Sequence, residues 1–392
     1  MSQVEQTQLL IAGGGPVGLL TALCAARQGL EVMVVERSFR GAPRGHTTLL
    51  HPSSIRLLSE LGLSPLLLRA GQLIDELTLR IDSEKQRLEL PYPALAITQS
   101  VFEEALLKVL RKEGVDLRAT CEVTSLTQSE ASVQVRVVRR EQRQATGSPG
   151  DELWDSTDSR TIDAQFVIGA DGRASRVRQA LGIQNALEPM ERYAMFELPC
   201  NYLPKAELVV SGQLGQLVTP LAGERARYSF QLAPSDNGSA DLEHLATLLA
   251  TRSPQYEMPR ELHWSGVVGF EPAVADRFGR GRVWLAGDAA HCAGPLGVQS
   301  MNRGLTEAWQ LSEQIASVVA GKQPLATLGL LGTARRDDWL RTLARDTDFE
   351  LLPHAPRWLW GQVHRVVSAL PASGTDLEGL LRQLGIARRE RS

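Results

Sequence analysis

The chain of 392 residues is 43% hydrophobic and 22% charged, with a net charge of −3. This is an ordinary globular composition with room for two domains, and it excludes the broad basic field of a nucleic-acid binder. No apolar run approaches a membrane span, the start shows no secretory or transit pattern, and Cys24, Cys121, Cys200, Cys292 and the 7 histidines are scattered without metal-ligand or disulfide spacing. No metal site is expected, and a reducing cytoplasm is the simplest compartment.

Leu9 to Ala12 is a short apolar run that reads as a buried parallel strand. Gly13, Gly15 and Gly18 follow at G-x-G-x-x-G spacing. A helix is predicted from Val17 to about Gln28, ended by Gly29, and a second buried strand from Leu30 to Val35, closed by Glu36. Gly13 allows the tight turn, Gly15 lets a pyrophosphate approach the backbone, and Gly18 lets helix and strand pack closely. The helix N-terminus offers free N–H groups to phosphate, and Glu36 is placed for ribose hydroxyls. These parts together predict dinucleotide binding, with NAD, NADP and FAD all open at this point.

Next comes a basic, Gly/Pro-broken loop, Arg37 to His46, from which Arg44 can meet a phosphate. Pro52 to Leu61 reads as an amphipathic helix. Leu77, Leu79 and Ile81, then Leu88 and Leu90, alternate as two strands around an Asp82–Lys85 turn, with Pro91 and Pro93 closing the excursion. A helix is predicted over Val101 to Glu113 and strands over 116–140. Residues 141–160 read as a mobile hairpin tip or insertion whose deletion is tolerated.

Phe166 to Gly172 is another buried strand ending in an acid and a glycine, followed by a short helix near Ser175. Tyr193 to Trp264 is β-rich, with a helix near Asp241 to Thr251. Val283 to His291 is a third strand-to-glycine-acid junction. A long helix is predicted from about Leu305 to Val319 and a charged one from Arg335 to Arg345. The tail carries Trp358, Trp360 and an apolar, basic run to Leu370, predicted to pack as a helix on the nucleotide-binding part; membrane contact is the lesser reading.

Three separated signatures are now in view. They are Gly13–Gly18 with Glu36; Gly169-Ala170-Asp171-Gly172 with Ser175 and Arg178; and Gly287-Asp288-Ala289-Ala290-His291 followed by Pro295, Gly297, Gln299, Met301, Asn302 and Gly304. In order and spacing, from about residue 7 to 345, the chain resembles the class A flavoprotein monooxygenases with the p-hydroxybenzoate hydroxylase-like fold. The resemblance implies FAD as cofactor, NADH or NADPH as a transient co-substrate, and O2. It implies oxygen insertion into an aromatic, quinone-like or polyketide-like small molecule through a flavin C4a-hydroperoxide. A flavin reductase, a halogenase or a non-catalytic flavin binder of the same fold is the alternative.

The resemblance also implies site residues. Asp288 would bind ribityl or ribose hydroxyls, Asp171 would serve FAD and the nicotinamide cofactor, and Arg44 and Gln99 fall at flavin-nucleotide contacts. Backbone N–H groups near Met301 and Asn302 would face the flavin, and Pro295 and Gly297 would wall its C4a side. Pro16, Val17 and Arg37 complete the expected cofactor set. Tyr193, Tyr228, Arg227 and His46 are candidate substrate contacts, and His291 is expected to be structural or flavin-side. Where the family shows a paired proline and a Gly-Gly-Gln-Gly run, this chain has Pro295-Leu296 and Gly297-Val298-Gln299-Ser300, which puts Cβ atoms beside the flavin.

The predicted fold class is α/β: a Rossmann-like FAD-binding domain interrupted by a β-rich substrate domain, with a C-terminal helical segment. The expected division is 1–71, 97–182 and 265–345 for FAD, 72–96 and 183–264 for substrate, and 346–392 for the helical tail. No further thioredoxin-like domain, as in the larger phenol hydroxylases that the resemblance brings in, is expected after this tail.

Overall fold

The computed structural model describes residues 4–38, 47–142, 154–200, 204–236, 238–256, 259–343 and 349–389. The glycine-punctuated start forms the Glu5–Ala12 strand, helix α1 (Pro16–Arg27) and the Val32–Glu36 strand. The later helices are α2 (Pro52–Glu60), α3 (Ser64–Ala70), α4 (Gln99–Lys112), α5 (Arg176–Ala180), α6 (Leu242–Arg252), α7 (Gln299–Val319), α8 (Ala326–Leu343), α9 (Val363–Ala369) and α10 (Gly374–Gln383).

In the first sheet, strands Val283–Leu285, Trp154–Gly169, Glu5–Ala12, Val32–Glu36 and Asp116–Ala119 lie side by side and parallel. Covered on both faces, they read as continuous apolar runs; Leu9, Leu10 and Ile11 are fully buried. Helices α1, α4 and α7 share one core with them, through Leu19, Leu23, Phe102, Leu106, Leu305 and Leu311. Ala12 and Leu285 both register with Gly169. The register therefore brings all three glycine-acid signatures to the carboxyl ends of adjacent strands, where open α/β sheets bind ligands.

The second sheet runs Trp264–Phe270, Glu191–Pro199, Arg225–Gln231, Leu214–Leu221, Ala206–Ser211, Gln72–Ile81, Glu84–Thr98, Thr47–Leu50. It is antiparallel except where Ala206–Ser211 meets Gln72–Ile81. Two of its strands lie across the expected boundaries. Thr47–Leu50 extends the ladder at the end of Glu84–Thr98, and Trp264–Phe270 forms the edge beside Glu191–Pro199. Nor do Pro91 and Pro93 end the excursion. The strand continues to Thr98, and the ladder jumps from Glu76↔Glu89 to Ile74↔Ala94, so the prolines sit in a bulge that needs no ladder N–H.

Three further expectations are corrected. Helix α7 starts at Gln299, six residues before Leu305, because residues 299–304 already turn within it. Of the expected hairpin tip, 141–142 and 154–160 are paired strand, and 143–153 lie outside the described residues. The tail buries its apolar face on the second sheet, where Leu359, Val366, Leu370, Leu380 and Leu384 lie with Leu77, Leu79, Leu88 and Leu208, and it reaches the FAD side through polar contacts, Ser373 to His51 and Asp376 to Arg56. One apolar stripe of the tail matches the alternate apolar face of those strands. Among the described residues, no helix is long and apolar enough to cross a membrane.

Candidate functional site

A cleft of about 220 Å³ opens at the carboxyl ends of the parallel strands, lined by Gly13, Gly15, Glu36, Arg37, Asp171 and Arg176. Gly13 has φ +108°, and a Cβ there would lie 2.2 Å from the Ala170 carbonyl oxygen; one on Gly18 would lie 2.1 Å from that of Gly13. A Cβ on Gly15 would meet nothing within 4 Å. Two glycines thus close the turn on the chain itself, and the middle one leaves an open approach to backbone N–H groups at the start of α1. Glu36 borders the cleft, accepting the Gly14 N–H at 2.6 Å and the Ser38 N–H at 2.8 Å. Asp171 accepts the Ser175 hydroxyl at 2.5 Å and the Arg176 N–H at 2.6 Å, so it caps α5 while lining the cleft.

Asp288 ends the third junction. It is open to solvent yet ringed by protein, and that burial raises its carboxyl above the ordinary carboxylate value. Among the described residues it has no hydrogen bond or ion pair. The loop after it, 293–299, forms one wall of a cavity of about 450 Å³; Tyr193, Gly215 and Gln231 of the second sheet and His364, Arg365 and Ser368 of the tail form the others. Gly215 makes room for the loop: a Cβ there would lie 2.3 Å from Leu296 Cδ1. Tyr193 donates its hydroxyl to Glu191 Oε2 at 2.8 Å, and burial raises its phenol well above the ordinary value.

The sequence profile of the FAD binding domain family matches residues 6–337. The chain belongs to this family. It is similar to a flavin-dependent monooxygenase of Mycobacteroides abscessus, 27% identical over 80% of this chain and 68% of that one. It is also similar to a Bacillus subtilis protein described as an uncharacterized aromatic compound monooxygenase, 28% identical over 81% of this chain and 63% of that one. The chain thus spans about two thirds of the length of these relatives. The crystal structure of p-nitrophenol 4-monooxygenase from Pseudomonas putida covers 97% of both chains with a TM-score of 0.74 at 20% identity, which establishes a shared fold.

Within this FAD-binding fold the expected residues divide. Val17 has its side chain clasped between α1 and α7: a Cβ on Gly304 would lie 2.7 Å from Val17 Cγ2, and one on Gly287 3.1 Å. Pro16 is the first helical residue of α1, where its missing N–H costs nothing. Arg37 is exposed in the cleft wall. Gln99 is half-buried and donates to Glu103 Oε1 at 2.8 Å. Met301 and Asn302 fall in the first turn of α7. The Asn302 side chain is committed to the protein: Oδ1 accepts from the His51 N–H at 2.7 Å and Ser54 Oγ at 2.8 Å, and Nδ2 donates to the Leu49 and Val298 carbonyls. Arg44 and His46 lie outside the described residues.

On the substrate side the structure selects among the candidates. Gly297 and Leu296 face the cavity, and Pro295 is not among the residues that line it. Tyr193 lines it; Tyr228 does not, because side chains alternate along a strand and Tyr228 points to the opposite face, stacked on Phe230 at 6.4 Å. Arg227 shares the Tyr193 face but lies outside the cavity. It pairs with Glu197, Nε to Oε1 3.1 Å, and stands 5.1 Å over the Trp264 ring.

Sequence reasoning missed two positioning groups. His51 is fully buried, with Nε2 2.9 Å from the Gly297 carbonyl oxygen, so Nε2 carries the proton; Nδ1 is 3.3 Å from Ser373 Oγ. Burial pulls its imidazole down to about 3, so it stays neutral. The His51-Pro52 pair that opens α2 was its only signal. Glu307 is the second. It accepts from His291 at 2.6 Å, Arg335 at 2.8 Å and Trp339 Nε1 at 3.0 Å. Burial alone would raise its carboxyl, but Arg335 and His291 outweigh that and hold it well below the usual range. His291, stacked on Trp339 at 3.9 Å, is therefore a structural member of this network.

Proposed function

We propose that the protein is an FAD-dependent monooxygenase that uses NADH or NADPH and inserts one atom of O2 into an aromatic, quinone-like or polyketide-like small molecule, by hydroxylation or epoxidation. The parallel-sheet part holds the nucleotide and the antiparallel sheet holds the substrate. The observation that carries this reading is the cavity of about 450 Å³ in which the loop after Asp288 faces Tyr193 and Gln231.

The residues fit FAD. The open approach at Gly15, the acid at Glu36 and the unpartnered Asp288 match a pyrophosphate and hydroxyl-bearing ligand. Gly13, Gly15, Pro16, Val17, Gly18, Glu36, Arg37, Arg44 and Asp171 would hold its adenosine and pyrophosphate part. Gln99, Asp288, Pro295, Gly297, Met301 and Asn302 would hold the flavin part. Bound FAD supplies the redox and oxygen-activating chemistry.

The chain's own contribution is positioning, charge and dryness. The first-turn N–H groups of α7 present partial positive charge to the flavin side. Leu296, Val210 and Ala369 give the cavity its apolar wall, the part that would shield the reacting flavin from water. Glu191 is placed to take a proton from a phenolic substrate through the Tyr193 hydroxyl.

The test is NAD(P)H oxidation by the FAD-loaded protein under ¹⁸O2, across phenols, quinones and polycyclic aromatics. A ligand that speeds oxidation and gains one ¹⁸O atom supports the reading. Oxidation that yields only hydrogen peroxide with every ligand makes the protein a reductase, halide-dependent product a halogenase, and ligand binding without oxidation a flavin-carrying binder.

A further inference from the structure

A second cavity of about 450 Å³ lies between α7, α8 and the C-terminal segment. Its wall holds Arg56, Arg303, Arg335, Arg341 and Arg388. Four of these have a carboxylate: Arg56 has Asp376 at 2.8 Å, Arg335 has Glu307 at 2.8 Å, Arg388 has Glu378 at 2.5 Å, and Arg341 has Asp338.

Arg303 is different. Among the described residues it has no hydrogen bond or ion pair; its guanidinium stands 5.1 Å over the Trp339 ring and its Nε is buried without a partner. Glu307, one turn along α7, already accepts from His291, Arg335 and Trp339. Arg335, only 4% exposed, has Nε and Nη1 without acceptors as well. Burial accordingly lowers the Arg303 guanidinium's affinity for its proton.

The carboxylates near it, Glu307 and Asp338, are paired with Arg335 and Arg341, and a desolvated cation with no carboxylate in direct contact is costly to keep. A ligand that brings the anion removes that cost. The rest of the wall says what the ligand carries besides its charge: Phe349, Val367 and Leu377 offer an apolar surface, and Ser53, Ser373 and Thr375 offer hydroxyls.

We propose that this cavity is a binding site for a small organic acid, whose carboxylate pairs with Arg303 and whose apolar body lies against Phe349, Val367 and Leu377. The site is separate from the flavin-side cavity, and Gln299, His364 and Ser368 line both. A ligand here therefore presses on the same wall that shapes the substrate cavity. The inference stands on this cavity alone and does not depend on the proposed reaction.

Benzoate and its neutral analogue benzamide are the probes, titrated calorimetrically into the FAD-loaded full chain. Benzoate binds the wild type and benzamide does not. Arg303→Gln weakens benzoate about tenfold or more, the usual loss when a charged hydrogen-bond partner is removed. Arg365→Gln, in the flavin-side cavity, leaves benzoate affinity unchanged. Thr375→Trp, on the exposed rim, fills the cavity without touching Arg303 and abolishes binding, which keeps the test sound if Arg303→Gln does not fold. No benzoate binding to the wild type, equal binding of benzamide, or loss with Arg365→Gln in place of Arg303→Gln and Thr375→Trp would each overturn the proposal.

Discussion

The turn at Gly13–Gly18 and the loop at Gly294–Ser300 both carry glycines and both lead into a helix, α1 and α7, yet different things hold them. The first closes on the parallel sheet beside it: the atoms that exclude a Cβ are the carbonyls of Ala170 and Gly13. The second closes on distant chain. A Cβ on Gly297 would lie 2.2 Å from the Ser368 carbonyl of α9, Leu296 sits against Gly215 of the second sheet, and His51 holds the Gly297 carbonyl. A turn packed on the backbone of adjacent parallel strands, here Gly13 itself and Ala170 after the neighbouring strand, needs only backbone chemistry, so glycine spacing specifies it. A turn packed on segments outside that sheet is specified by whatever those segments bring. That is how this loop can carry Val298 and Ser300.

The sharpest way to break this contrast is within the first turn. Gly18→Ala drives a methyl into the Gly13 carbonyl and should cost about 3 kcal/mol or more, because backbone on both sides cannot yield. Gly15→Ala meets no protein atom and should leave thermal stability of the apoprotein nearly unchanged while weakening FAD binding. Melting curves with and without FAD separate the two. Equal destabilisation of the apoprotein by both variants would mean that the open space at Gly15 is structural and not reserved for ligand.

A second measurement addresses the His51 latch. The imidazole is held at about 3 in the fold against an ordinary 6.5. Between those values the unfolded chain binds a proton that the folded chain refuses, so this contribution to stability is complete above 6.5 and is lost as pH falls towards 3. One such proton gives a slope of up to about 1.4 kcal/mol per pH unit. Glu307 has the same sign, but its ordinary value is 4.5, so its share is lost only below that pH. His51→Gln should therefore flatten the denaturation profile between pH 6.5 and 4.5. Unchanged slopes there would show that His51 is not a buried neutral latch.

The same contrast explains what could be read from the chain. The alternation of glycine and acid at strand ends was enough to locate Gly13, Asp171 and Asp288, because parallel register then brings them together without further instruction. The substrate cavity was legible only in its sheet. Strand alternation could have separated Tyr193 from Tyr228, since the two differ by an odd number of residues from their mutual neighbours in the Glu191–Pro199 and Arg225–Gln231 pairing, but only once the register Tyr193↔Gln231 is known. The tail's place was not legible. Its apolar stripe fits any apolar surface, and the choice of the second sheet is decided by long-range packing around Leu370 and Leu380. His51 and Glu307 were hidden for a related reason: each works through partners hundreds or tens of residues away.

The smallest effect is the most specific to the second turn. Val298 holds φ +48° at the start of α7, a left-handed conformation that a β-branched residue adopts only when its surroundings impose it. Its side chain packs on the cluster that joins the tail to the second sheet. Val298→Gly relieves the strain and loses that packing, so the two changes, each on the order of 1–2 kcal/mol, nearly cancel. Val298→Ala loses the packing and keeps the strain, and should be the less stable variant by about 1 kcal/mol. This reverses the usual helix order, in which alanine exceeds glycine. Urea denaturation of the two variants decides it. If alanine proves the more stable, the left-handed turn at Val298 is not the conformation from which α7 starts, and the loop is held like the first turn, by backbone alone.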